Sequence, residues 1–203
     1  MHLAVTKLGL GQLLLLSFIA VFTGADTLAA EDPSSPEMER VMADLRAVKR
    51  FSGTFIERKS LGLLRRNLET SGEIRYEAPD RLERRTLKPS PDKFLLEGET
   101  ISGVQRNGEH YSVSLSERPE IAALVEGIRA TLAGDLASLN RHYLVEFEGN
   151  SANWSLHLKP RLKTVQAKVS EIQISGEGDM LKRVAIRQTQ GDHSEMMIRP
   201  EAP

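Results

Sequence analysis

Five histidines, His2, His110, His142, His157 and His193, are the residues from which a metal centre or proton-transfer site would first be built. None stands at a short metal-type spacing from another, and the chain has no cysteine to complete a ligand set, so no metal site is expected. His157 alternates with Leu156 and Leu158, which reads as an outward-facing polar position on a strand. The paired carboxylates Glu117 with Glu120 and Glu146 with Glu148 read as solvated charges, with Glu120 well placed for a helix N-terminus. No G-x-S-x-G elbow, phosphate-binding loop or dinucleotide fingerprint occurs. Gly176-Glu177-Gly178-Asp179 carries the right residue type for a phosphate cradle, but it lies between two strands with no helix after it and reads as a hairpin turn. Asn153-Trp154-Ser155 matches a glycosylation acceptor formally, inside a strand, and reads as chance. The run Arg81, Arg84, Arg85 and Lys88 reads as a solvated strand face balanced by Glu73, Glu77 and Glu83. No nucleophile, base or cofactor site is nominated, and the chain reads as a non-enzyme without cofactor.

The whole-chain balance points the same way. Basic and acidic residues number 27 and 28, for a net charge of -1, and no basic block stands apart. Nucleic acid is therefore not an expected partner, because affinity for a phosphate backbone comes from clustered Lys and Arg. Residues 1–30 read as a secretory signal peptide: Lys7 in a short basic region, an apolar run from Leu10 to Phe22, then the small residues Gly24, Ala25, Ala29 and Ala30. That run is shorter than the roughly 18 to 20 residues that span a bilayer. Cleavage after Ala25 or Ala30 fits the pattern. Without cysteine there is neither a disulfide to staple an exported protein nor a site for a lipid anchor after the leader. The expected product is one soluble domain, residues 31–203, in a Gram-negative periplasm and acting as a monomer.

The elements that would position any site are mostly strands. Pro36 to Val48 places Met38, Val41, Met42, Leu45 and Val48 at helical spacing, with Ser35 as cap. Alternation then runs through Phe51 to Ser60, Leu68 to Ala78, Arg81 to Lys88, Lys93 to Glu97, Thr100 to Arg106 and Glu109 to Leu115, with Asn107-Gly108 as a hairpin signal. Ser116 to Asn140 interrupts this pattern with Ile121, Leu124, Val125, Ile128 and Leu132 on one helical stripe. Pro119 suits its first turn, Gly134 its end, and Asp135 the cap of a second short helix carrying Leu136 and Leu139. Strands resume at Arg141 to Glu148 and Asn153 to Lys159 around a turn at Gly149-Asn150. Arg161 to Lys168 reads as a loop or a short helix. Val169 to Ser175, Leu181 to Thr189 and His193 to Arg199 close the chain. About ten sequentially adjacent strands argue for an antiparallel meander that curls, with two amphipathic helices against its concave face.

Two stretches carry a family resemblance. Leu45-Arg46-Ala47-Val48-Lys49-Arg50-Phe51-Ser52-Gly53-Thr54-Phe55 and Gly72-Glu73-Ile74-Arg75-Tyr76-Glu77-Ala78-Pro79-Asp80-Arg81-Leu82 resemble the helix-to-strand entry and the G-x-[LF]-x-x-x-x-P-x-x-[LF] strand and turn of the periplasmic outer-membrane lipoprotein carriers, the LolA family. The resemblance implies a mainly β fold with α elements, an antiparallel sheet curved into an incomplete β-barrel under a helical lid, and a hydrophobic cavity for acyl chains. Phe55, Ile74, Tyr76, Leu82, Tyr111, Val113, Trp154 and Leu156 would line the cavity from the strands. Ile121, Leu124, Ile128 and Leu132 would face lipid or cavity from the lid, or pack onto the sheet as core. Three positions depart from the family: Ala78 stands where an arginine often latches the lid, and Arg75 and Arg84 stand where aromatic residues are usual. The closing strand at His193 to Arg199 is expected to be the last, without the additional C-terminal strand and hook of the best-known members.

The resulting expectation is a periplasmic carrier of a lipoprotein or another acyl lipid, working between an inner-membrane exporter and an outer-membrane acceptor. A periplasmic lipid-binding sensor module is the alternative. An enzyme on acyl substrates is a third reading, for which no residues are nominated.

Overall fold

Period-two alternation becomes one sheet of eleven strands in the computed structural model, which describes residues 35–61, 66–104 and 108–201. The strands are β1 (Arg50–Leu61), β2 (Arg66–Glu77), β3 (Arg81–Lys88), β4 (Asp92–Glu97), β5 (Thr100–Val104), β6 (His110–Ser114), β7 (Tyr143–Asn150), β8 (Asn153–Pro160), β9 (Val169–Glu177), β10 (Met180–Gln188) and β11 (His193–Pro200). Every pairing is antiparallel, and the spatial order is β6-β5-β4-β3-β2-β1-β11-β10-β9-β8-β7. Neighbours in the chain are neighbours in the sheet, except that β1 pairs with β11 while β6 and β7 are left as the two edges. The sheet is therefore an incomplete barrel, mainly β with a few helices. The expected signal peptide at residues 1–30, the loop near Gly62 and the Asn107 half of the expected hairpin turn lie outside the described residues.

Register sorts the side chains into rows across the concave face. Phe51, Tyr76, Leu82, Leu96, Ile101 and Val113 make one row, and Gly53, Ile74, Arg84, Phe94, Gly103 and Tyr111 the next. A third, Ile198, Phe55, Gly72 and Thr86, lies deeper. In the other half, Val184, Ile174, Leu156 and Phe147 form a row beside Ile186, Ile172, Leu158 and Val145. Most of these side chains are buried. Burying an apolar side chain of this size stabilises by roughly 2 kcal/mol, and in a chain without disulfides this face supplies the core.

Among the described residues four α-helices, α1 (Pro36–Ala47), α2 (Pro119–Leu132), α3 (Leu136–His142) and α4 (Lys163–Gln166), and one turn of 3-10 helix, Leu115–Glu117, accompany the sheet. In α1 the Ser35 hydroxyl accepts from the Met38 N–H at 3.2 Å, and Met38, Val41, Met42 and Leu45 are buried. Arg161 to Lys168 resolves into the single turn of α4. The turn expected at Gly149-Asn150 falls two residues later, at Ser151-Ala152, because the Asn150 side-chain carbonyl accepts from the N–H groups of Ala152 and Asn153 and β7 runs on to Asn150.

Candidate functional site

Residues 115–142 leave the sheet at one edge, β6, and return to it at the other, β7. Contacts of α2 with α1, α3, α4 and β9 place these helices on the concave side, where the helices and inner strand residues form one apolar core. The residues expected on the strands are brought together there. Phe55, Ile74, Tyr76, Leu82, Trp154 and Leu156 are buried on the inner face, while Tyr111 and Val113 are half-buried near the β6 edge. The face is filled rather than hollow, since Phe55, Leu96, Leu156, Leu158, Ile172 and Ile174 are all sealed from solvent. An open cleft of about 810 Å³ lies at its rim, where Val48, Phe51 and Met180 meet charged side chains such as Arg75, Arg81 and Glu83.

The helical stripe divides. Val125 and Leu132 are buried, Leu124 and Ile128 are half-buried against the core, and Ile121 is 37% exposed. The closest packed side of α2 carries small residues, Ala123, Gly127, Ala130 and Thr131. They let Tyr143 in, for a Cβ on Gly127 would stand 3.0 Å from its hydroxyl. A methyl-sized contact contributes only about 0.8 kcal/mol, so the cover is held by less apolar area than a Leu-lined helix would bury.

Polar contacts supply the rest. Arg129 donates from Nη1 to the Gly98 carbonyl at 3.1 Å in the β4–β5 turn, pairs with Glu126 on its own helix, and lies 3.6 Å from Glu99. Arg46 on α1 donates to the Gly134 carbonyl at 2.6 Å, just past the end of α2. Gly134 has φ of 61°, and a Cβ there would fall 2.0 Å from the Met42 carbonyl, so only glycine lets the cover meet α1 so closely. The Tyr143 hydroxyl donates to the Ala123 carbonyl, and burial, then Glu126, pushes its pKa far above the ordinary phenol value. Burial and Asp80 likewise raise Tyr76, whose hydroxyl donates to the Pro79 carbonyl at 3.2 Å. Thus the Ala78-Pro79 turn is tied to the inner face through Tyr76, while arginines elsewhere hold the cover. Nothing in the local spacing of Arg46 or Arg129 distinguishes them from solvated helix charges.

One expectation is corrected. Arg84 is not on a solvated face with Arg81 and Arg85; it points inward, its side chain 23% exposed, and pairs with the buried Glu57 at 2.7 Å. The parity of β3 carried that signal, since Leu82, Arg84 and Thr86 alternate on one side. His157 does face away from the core, its Nδ1 2.8 Å from Glu171. Among the described residues no acidic and histidine cluster could hold a metal ion.

A family model described as outer membrane lipoprotein carrier protein LolA-like matches residues 30–202. The chain belongs to this LolA-like family. Its members are binding and carrier proteins. Solved structures similar to this LolA-like chain include a LolA superfamily protein from Nitrosomonas europaea, with 9% identity, a TM-score of 0.40 and coverage of 80% of this chain and 91% of that one. A putative outer membrane lipoprotein-sorting protein domain from Vibrio parahaemolyticus has 9% identity, TM-score 0.43 and coverage of 82% and 92%. The Mycobacterium tuberculosis lipoprotein LppX has 14% identity, TM-score 0.42 and coverage of 84% and 98%. No curated protein matches the chain. No helix among the described residues is long and apolar enough to cross a membrane.

Proposed function

We propose that this LolA-like protein is a periplasmic carrier that takes the acyl chains of a lipoprotein or other lipid between the concave face and the cover formed by α2 and α3. The observation that supports it most is the topology: a helical segment joins the two free edges across a largely apolar inner face, held by the buried Val125, Leu132 and Leu139, by small residues at its closest approach, and by Arg129, Arg46 and Tyr143. Such a cover exchanges side-chain contacts for acyl contacts when it lifts. Each methylene buried contributes roughly 0.8 kcal/mol, so a full chain reaches on the order of 10 kcal/mol before the costs of ordering it. In this reading residues 1–30 export the protein, residues 31–203 form one carrier domain, and an inner-membrane exporter and an outer-membrane acceptor stand at either end of its path.

Phe55, Ile74, Tyr76, Leu82, Trp154 and Leu156 form the floor, Tyr111 and Val113 the flank, and Ile121, Leu124, Ile128 and Leu132 the cover's contribution. Titration with a fluorescent fatty acid tests this. Saturable uptake near one probe per chain is expected, and Leu124→Asp with Ile128→Asp is expected to weaken it at least tenfold, about 1.4 kcal/mol. These two residues are half-buried against the core, so circular dichroism of the doubly substituted protein is recorded beside the titration, and weakened uptake by a protein that keeps the wild-type spectrum is the expected result. A folded wild-type protein that takes up no probe contradicts the proposal.

A further inference from the structure

Four polar residues, Glu57, Thr70, Arg84 and Thr86, interrupt the apolar rows on the inner face of β1 to β3. Glu57 is only 7% exposed; it receives Arg84 Nη2 at 2.7 Å and Lys59 Nζ at 3.3 Å. Thr70 Oγ1 lies 3.4 Å from both Glu57 Oε2 and Arg84 Nη2. Arg84 starts two rows away from this acid and crosses the intervening row where Gly72 on β2 presents no side chain, which brings its guanidinium over the Phe55 ring, 4.6 Å from the centroid. With Nη2 engaged in this way, the Nε–H of Arg84 is buried without a hydrogen-bond partner among the described residues. Two positions along the same face of β3, the hydroxyl of Thr86, a residue 1% exposed, is buried without one as well.

A buried donor left unmade is costly, and two on adjacent inward positions of β3 mark a place built for an acceptor. The local charges define its class. Arg84 and Lys59 both pair with Glu57, and Asp92 is the register partner of Thr86, so two cations and two acids stand around the place. A carboxylate or phosphate arriving here is repelled by these acids; an uncharged acceptor is not. We infer that Arg84 Nε and Thr86 Oγ1 form a head-group site for the ester or amide carbonyl of an acylated ligand. Its chain runs from there along Leu82, Leu96 and Ile101 toward the helical cover. Both donors are sealed from solvent in this structure, while Phe94 and Tyr111 beside Arg84 are half-buried, so a head group enters by displacing side chains at this flank rather than by unfolding the sheet. The inference rests on the carrier reading and adds to it a chemical preference among acyl ligands.

Competition against a bound fluorescent fatty acid tests it, using a fatty acyl methyl ester and the alkane of equal length. The wild-type protein is expected to favour the ester about tenfold, the worth of one net hydrogen bond. Thr86→Val removes the hydroxyl without changing the volume appreciably, so it is expected to abolish most of that preference while leaving Tm unchanged or higher, and Thr86→Ser to keep it. Thr86→Val with the ester preference intact overturns the head-group site and leaves the carrier reading standing. A lowered Tm in Thr86→Val also overturns it, because the hydroxyl then serves the fold. Wild-type protein that takes up the fluorescent probe but is displaced equally by ester and alkane overturns the site alone, and wild-type protein that takes up neither probe nor competitor overturns both.

Discussion

At Arg129 one guanidinium reaches three groups, the Gly98 carbonyl, Glu126 and Glu99, and so ties the middle of the cover to the β4–β5 turn. Its side chain is 19% exposed, which takes it out of the class of surface ion pairs whose worth is near zero. Arg129→Ala is expected to cost about 2 kcal/mol locally, so amide exchange of α2 quickens roughly thirtyfold while the central strands keep their protection. Hydrogen exchange read by mass spectrometry checks this, and equal loss of protection in α2 and β9 contradicts it. At this scale the sequence is least legible. Phe55, Ile74 and Leu82 announce their burial through alternation, but Glu57, Arg84 and Thr86 sit inside because a register brings three strands together, and register depends on pairing partners that the chain order does not state. Arg84 was open to a parity argument from Leu82; Glu57 and Thr86 gained meaning only beside it.

At the scale of elements, capping residues proved readable. Ser35 and Asp135 begin α1 and α3 as their types imply, and Pro119 and Gly134 bracket α2. Hydrophobic stripe and packed face diverged in α2, because close approach to Tyr143 favours Ala123 and Gly127 over the larger Ile121. The α3 cap also gives a pH dependence. The hydroxyl and N–H of Ser138 bind the Asp135 carboxylate and hold its pKa below the ordinary value. A carboxylate lowered on folding adds stability above its unfolded pKa of about 4 and loses it as pH falls through the folded value. Asp135→Ala is therefore expected to cost about 1 kcal/mol at neutral pH, a difference that stays constant down to about pH 4 and closes in stronger acid. Urea midpoints of both proteins from pH 7 to 2.5 measure it; a gap as large at pH 2.5 as at pH 7 assigns the loss to something other than the charged cap.

For the molecule as a whole, the strands and their antiparallel sense followed from alternation and short turns, and the family from two short stretches around Phe51 and Pro79. The long-range join of β1 to β11 did not, since local pattern says nothing about which distant strand completes a central one. That join makes β6 and β7 the edges and turns residues 115–142 from an interruption into a bridge over the concave face. The central claim is that this bridge covers acyl chain in the working protein. Native mass spectrometry of the protein purified from the exported fraction, followed by organic extraction, tests it most directly. A mass increment of one acyl lipid or lipoprotein per chain, released by solvent and diminished by Leu124→Asp with Ile128→Asp, is the predicted result; a protein at its bare mass that acquires no increment on incubation with acylated lipoprotein contradicts it.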